Sequence, residues 1–170
     1  DLFPEELAWD QSAGLPDHLQ LSQRGDSMIL AWRGGRADRY DLTIENDGKV
    51  AERVELVDPG RELAHLDVML GGETLLACDE TGAIGLWFKA KPVGATTSDG
   101  GRLQRARLLE GHGSPVTATG SSGRSRVIAV GYADGLIKIF QATTGLLMAE
   151  APGEGDGPQL EVAIGPKEDL

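Results

Sequence analysis

Arg126-Val127-Ile128-Ala129-Val130-Gly131-Tyr132-Ala133-Asp134-Gly135-Leu136-Ile137-Lys138-Ile139-Phe140 is the stretch on which the reading of this chain turns. An apolar run of strand length stops at an Asp-Gly pair, and a second apolar run returns from it. Asp-Gly between two such runs is a hairpin signal, because glycine enters the positive-φ region of a tight turn without steric cost. Two other segments repeat the pattern. Met28 to Trp32 is followed by Gly34-Gly35 and then by Ala37 to Leu42. Thr74 to Cys78 is followed by Thr81-Gly82 and then by Ala83 to Phe88. Each return strand carries an aromatic residue at the same offset after its turn glycine: Tyr40, Trp87 and Phe140.

Two further strand candidates flank each hairpin. Leu19 to Ser22, Leu66 to Leu70 and Val116 to Gly120 precede the hairpins, and Val50 to Val57, Leu103 to Leu109 and Leu146 to Glu150 follow them. Four short antiparallel strands per repeat, with Gly35, Gly82 and Gly135 spaced by 47 and 53 residues, describe a propeller blade. The expected fold is therefore all-β, a segment of about three four-stranded blades. A β-sandwich is the alternative, since alternating strands and glycine turns serve both. The whole of 1–170 is read as a single partial propeller domain, with blades at about 15–58, 64–110 and 112–151 and the start of a further blade at 159–170. Leu7-Ala8-Trp9 reads as the outer strand of a preceding blade, and Leu160 to Ile164 as the first strand of a following one. An arc leaves strand edges unpaired, and such edges predict edge-mediated self-association.

Composition narrows the function. The 170 residues carry 16 Lys plus Arg against 27 Asp plus Glu, a formal net charge of −11. That balance argues against nucleic acid, whose binding depends on clustered cations. Cys78 is the single cysteine, so neither an internal disulfide nor a Cys-rich zinc site is expected. His18, His65 and His112 are far apart, and no Asp-x-Asp-x-Asp-Gly calcium loop occurs among the C-terminal acids. No metal and no cofactor is expected. No apolar run approaches the roughly 18 residues of a membrane helix, and no leader peptide is visible.

The third unit resembles the WD40 consensus. Gly111-His112, Val116 and Ala133 to Phe140 correspond to the family's Gly-His pair, its innermost strand and its Asp-Gly turn with the strand that follows. The resemblance implies that His112 and Asp134 share a structural hydrogen-bond network. It departs from the family at Val130, where a hydroxyl residue is usual, and at Phe140, which replaces tryptophan. The string Ala133-Asp134-Gly135 through Ala142-Thr143-Thr144-Gly145-Leu146-Leu147 is also similar to segments in the extracytoplasmic WD40-like insert of some bacterial phosphate ABC transporter permeases. That resemblance implies the periplasmic domain of an inner-membrane protein. It would contact transporter subunits or a phosphate-binding protein, or modulate transport. The WD40 resemblance alone implies a non-enzymatic, cytoplasmic protein–protein interaction scaffold.

Other motifs are weaker. His112 with Ser114, Ser121 or Asp134 offers a hydrolase reading, but no Gly-x-Ser-x-Gly elbow accompanies them. Gly120 to Ser125 lacks the Lys-Ser or Lys-Thr ending of a P-loop and reads as a hairpin turn. Arg24-Gly25-Asp26-Ser27 reads as the turn before the first hairpin. Arg33, Arg36 and Arg39, and Arg102, Arg105 and Arg107, form two basic groups. Gathered on one blade face, they would bind an anion or an acidic partner.

Overall fold

The computed structural model describes residues 10–22, 24–43, 48–69, 74–91, 101–122, 125–153, 157–158 and 161–164. A 3-10 turn, Gln11–Ala13, precedes the strands and is capped by the Asp10 carboxylate. The first sheet consists of β1 (His18–Leu21), β2 (Ser27–Ala31), β3 (Arg36–Asp41) and β4 (Lys49–Glu55). The second holds β5 (Leu63–Val68), β6 (Thr74–Asp79), β7 (Ile84–Ala90) and β8 (Arg102–Leu109). The third holds β9 (Val116–Ser121), β10 (Val127–Tyr132), β11 (Leu136–Gln141) and β12 (Leu146–Pro152). Each is an antiparallel meander in chain order.

The three sheets are equivalent in detail. The aromatic of each third strand sits opposite the corresponding residue of the second: Tyr40 opposite Met28, Trp87 opposite Leu75, Phe140 opposite Ile128. A β-bulge between the third and fourth strands falls immediately before that aromatic in every sheet, at Arg39/Tyr40, Leu86/Trp87 and Ile139/Phe140. A bulge sharpens twist, so the same residue re-aims each outer strand. The turn glycines Gly35, Gly82 and Gly135 all have positive φ, at 94, 79 and 87°.

The sheets stack face to face. Ile29, Ala31 and Ala37 of the first sheet meet Leu66, Leu75, Ala77 and Trp87 of the second in one buried cluster. The opposite face of the second sheet, with Leu76, Cys78, Ile84 and Leu86, meets Ile128, Val130, Tyr132 and Phe140 of the third. Each fully buried side chain of this kind contributes about 1.5–3 kcal/mol. Trp87 and Phe140 each face the sheet before their own, and Tyr40 occupies the equivalent face of the first sheet. On the first sheet that face holds Met28, Leu30, Trp32 and Tyr40, packed against Ala13. The Trp32 indole N–H donates to the carbonyl of Gly14 at 3.0 Å.

The first strand of each sheet lies innermost, so β1, β5 and β9 are neighbours. The Gln20 side-chain amide donates to the Leu66 carbonyl at 2.9 Å, tying β1 to β5.

The expected strand at 160–164 is not formed where it is described: residues 161–164 carry no strand. No described residue offers them a second strand to pair with, and a strand exists only through its ladder. They still lie on the third sheet, since a Cβ on Gly120 would come within 2.3 Å of the Val162 carbonyl oxygen. Leu7-Ala8-Trp9 lies outside the described residues. The expected turn at Gly120 to Ser125 begins later than anticipated, because Gly120 and Ser121 belong to β9. The outer strand β12 is exposed throughout, with Leu146, Leu147 and Met148 at its surface.

Candidate functional site

The Gly-His pair has a clear structural origin. A Cβ on Gly111 would stand 2.4 Å from the Thr81 carbonyl oxygen, so only glycine lets this connection cross the β6–β7 turn. The Gly113 N–H donates to that same carbonyl at 3.0 Å. Asp79, nearly buried, holds the turn by accepting from the Thr81 N–H, the Thr81 hydroxyl and the Ala83 N–H. His112 is thereby placed edge-on to Tyr132, with ring centroids 4.4 Å apart at 90°.

The expected hydrogen bond from His112 to Asp134 is not made. His112 Nε2 and Asp134 Oδ2 are 3.6 Å apart, beyond hydrogen-bond length. Nε2 is buried without a partner, and the half-exposed Asp134 turns to the Leu136 N–H. Val130 and Phe140 belong to the apolar cluster around Tyr132, so neither position supplies a polar group that would extend a network. Ser114 is buried and accepts from the Asp134 N–H at 3.1 Å. His112, Ser114 and Asp134 are therefore close together but joined as a loop brace. His112→Ala is expected to cost about 1–2 kcal/mol by losing the edge-to-face contact. Asp134→Ala should cost about 0.5 kcal/mol or less. Urea denaturation of both variants checks this, and equal losses would restore the hydrogen-bonded pair.

The two arginine groups are not gathered into an open anion-binding face. Arg33 pairs with Glu62 and Arg105 with Asp58, at 2.8 and 2.7 Å. Arg107 donates to the Thr143 carbonyl of the third sheet at 2.7 Å. Arg102 is exposed at the start of β8, without an ion pair to any described residue. Arg36 and Arg39 are adjacent in register to acids and point to opposite faces of β3, because side chains alternate along a strand. In a chain with this excess of acids, most arginines find an intramolecular carboxylate.

One acid in that arrangement, Asp38, escaped the sequence reading. It is 0% exposed and takes bidentate contacts from both Arg36 and Arg53 at 2.8–3.2 Å. Asp10 reaches Arg36 from the capped turn at 2.9 Å. Burial pushes the Asp38 carboxyl up, but the Arg36 and Arg53 hydrogen bonds and charges outweigh it and hold its pKa below the ordinary value. The Arg-x-Asp spacing of Arg36 and Asp38 was the available signal, since residues two apart share a strand face.

A second polar group links the inner strands. His65 Nε2 lies 3.1 Å from the Thr119 hydroxyl, which itself donates to the Asp67 carboxylate. The hydroxyl proton being committed to Asp67, Nε2 is the donor in this bond. Burial holds the His65 pKa below its ordinary value, favouring the neutral ring. His65 thus ties β5, the edge strand of the second sheet, to β9.

Between the first two sheets, at the rim bearing the β1–β2, β3–β4 and β7–β8 connections, lies a groove of about 550 Å³. Ile29, Val68, Leu75 and Leu103 give it an apolar floor. Arg39 lines it while buried, donating to Glu52 at 3.1 Å and to the Gly101 carbonyl at 3.1 Å. Arg24, Lys89 and Lys91 stand exposed around it. Its two acids are held locally: Asp26 accepts from the Ser22 hydroxyl, and Asp41 from the Thr43 N–H and hydroxyl. In the sequence Arg24 reads only as part of a turn, and neither Lys89 nor Lys91 stands out, because the groove exists only once two sheets are stacked. Among the described residues no group of His, Cys, Asp and Glu could hold a metal ion, and no helix is long and apolar enough to cross a membrane.

No family model and no curated protein matches the chain. Solved structures do. The β-propeller domain of Cps50 (Swd1) from Myceliophteria thermophila superimposes with a TM-score of 0.67 at 12% identity, covering 87% of this chain and 44% of that one. The WD40 repeats of RRP9 give 0.67 at 12% identity, over 89% and 42% of the two chains. Raptor from Chaetomium thermophilum gives 0.61 at 17%, over 87% and 12%. The chain thus spans less than half the length of these relatives. The likeness establishes a WD40-like β-propeller fold, in which the three sheets are blades.

Proposed function

We propose that this chain is a non-enzymatic protein–protein interaction scaffold, an arc of a WD40-like propeller whose rim carries the binding surface. The observation that supports it most is the stacking of equivalent blades. Two apolar interfaces fix the frame, so the connections at the rims are free to vary without disturbing the core. The groove between the first two blades offers such a rim an apolar floor and a cationic border.

The more specific expectation of a periplasmic domain in a phosphate-transport permease rests on the string Ala133 to Leu147 alone. Neither the family models nor the structural relatives add to it, so the general scaffold reading stands in its place. The hydrolase reading gains no support from His112, whose Nε2 has no hydrogen-bond partner.

Capture from an extract of the source cells tests the proposal. The folded chain is expected to retain one or a few defined proteins that a urea-unfolded sample does not retain. If folded and unfolded chains retain the same set, or the folded chain retains none, the scaffold reading is wrong.

A further inference from the structure

We infer that the groove between the first and second blades binds an extended acidic peptide segment with apolar anchor residues; this deepens the scaffold reading and rests on it. Charge is the first argument. The chain as a whole carries a net charge of −11, yet this groove is lined by four cations, Arg24, Arg39, Lys89 and Lys91, against two acids, Asp26 and Asp41, with Arg39 also paired to Glu52. Most of the other arginines are matched to carboxylates across the sheets. Arg24, Lys89 and Lys91 have no ion pair with any described residue. An acidic protein that leaves cations unmatched around one concavity presents a local field of opposite sign to the rest of its surface. Such a field selects acidic partners and repels the chain's own acidic faces.

The buried guanidinium is the second argument. The Arg39 side chain is 8% exposed, and burying a charge is costly unless its donors are satisfied. Its Nε bonds Glu52 and its Nη2 bonds the Gly101 carbonyl. The other guanidinium N–H groups have no partner among the described residues, and the side chain lines the groove. Planar N–H donors of this kind match a carboxylate. Gly101 holds the arrangement together: it accepts from Arg39, and the Lys89 stem lies so close above it that a Cβ there would stand 2.6 Å from Lys89 Cγ.

The floor supplies the third argument. Ile29, Val68, Leu75 and Leu103 are apolar, which a small inorganic anion would leave unused. An extended segment places alternate side chains on opposite sides. Apolar residues can then enter the floor while acidic neighbours meet the border, a division typical of peptide grooves.

The test uses a short fluorescein-labelled peptide alternating Glu with Leu, a matched peptide with Gln in place of Glu, and inorganic phosphate as competitor. Fluorescence anisotropy is read on the intact chain and on the double variant Lys89→Gln, Lys91→Gln, which changes exposed side chains; Lys91→Glu serves as a second variant. The acidic peptide is expected to bind at least about tenfold more tightly than the Gln peptide. The double variant is expected to lose that advantage with thermal unfolding unchanged, and phosphate at equal concentration is expected not to displace the peptide. Equal binding of the two peptides, or undiminished binding by both variants, overturns the inference. Displacement by phosphate overturns it in favour of a simple anion site. These outcomes leave the scaffold reading intact when the folded chain still captures a defined partner, whereas loss of that capture by the unmodified chain defeats the scaffold reading itself.

Discussion

Replacing Gly82 by alanine is expected to destabilise the protein by about 3 kcal/mol, the largest loss of any single-methyl addition considered for this fold. Two independent costs combine. Gly82 has φ of +79°, where an L-residue is strained by roughly 1–2 kcal/mol. The added Cβ would also stand 2.2 Å from the Ser114 carbonyl oxygen and 2.9 Å from the Tyr132 ring. Backbone cannot swing aside as a flexible side chain can, so the β6–β7 turn and the connection into the third blade must separate. Gly60 provides the control: its φ is +82°, but nothing lies within 4 Å of a Cβ there. Gly60→Ala should cost only about 1 kcal/mol. Urea denaturation of both variants measures the difference. Equal losses would mean that the turn and the connection are not in contact. For a chain of this size the Gly82 loss corresponds to a fall of roughly 6–12 °C in Tm.

Asp38→Ala carries the second large effect, a loss of about 3 kcal/mol at neutral pH. The carboxylate is 0% exposed between Arg36 and Arg53, whose side chains are 24% and 54% exposed. Arg53 can turn to water when its partner is gone; Arg36, more enclosed, keeps Asp10 as its carboxylate partner. The same site predicts a pH dependence. The folded-state pKa of Asp38 lies below its ordinary 3.8. On acidification the unfolded chain therefore takes up this proton first. The stabilisation is complete above about pH 4 and is lost as pH falls through the folded value. Asp10 and Glu80 are shifted in the same direction by hydrogen bonds that outweigh burial, so they add to the acid loss. Asp38→Ala should lower stability at pH 7 and flatten its decline below about pH 4. A variant that declines as steeply as the parent would show that Asp38 is not linked to the acid transition.

Much of the architecture could be read from short stretches because its causes are local. The Asp134-Gly135 turn and its counterparts at Gly35 and Gly82 announce hairpins through the one residue type that accepts positive φ. Tyr40, Trp87 and Phe140 mark equivalent places because the same bulge recurs before each. The site was less legible. The sequence points to a hydrogen bond between His112 and Asp134, but the two stand 3.6 Å apart in surroundings that Val130 and Phe140 make apolar. The arginine groups read as one surface, but all except Arg102 meet a carboxylate or carbonyl that spacing does not reveal.

Taken alone, the order of residues determined the strand pattern, the three-fold repeat, the turn chemistry and the excess of negative charge. Those are properties of neighbours along the chain, set by backbone sterics and by the alternation of side chains across a strand. Stacking decided the rest: which cations are matched, where Asp38 is buried, and that Arg39, Lys89 and Lys91 share a groove. His65 meets Thr119, and Arg39 meets Gly101, across 54 and 62 positions of sequence. Only the packing of one sheet on the next excludes water there, and with it come the strong electrostatics and the concave shape on which recognition depends.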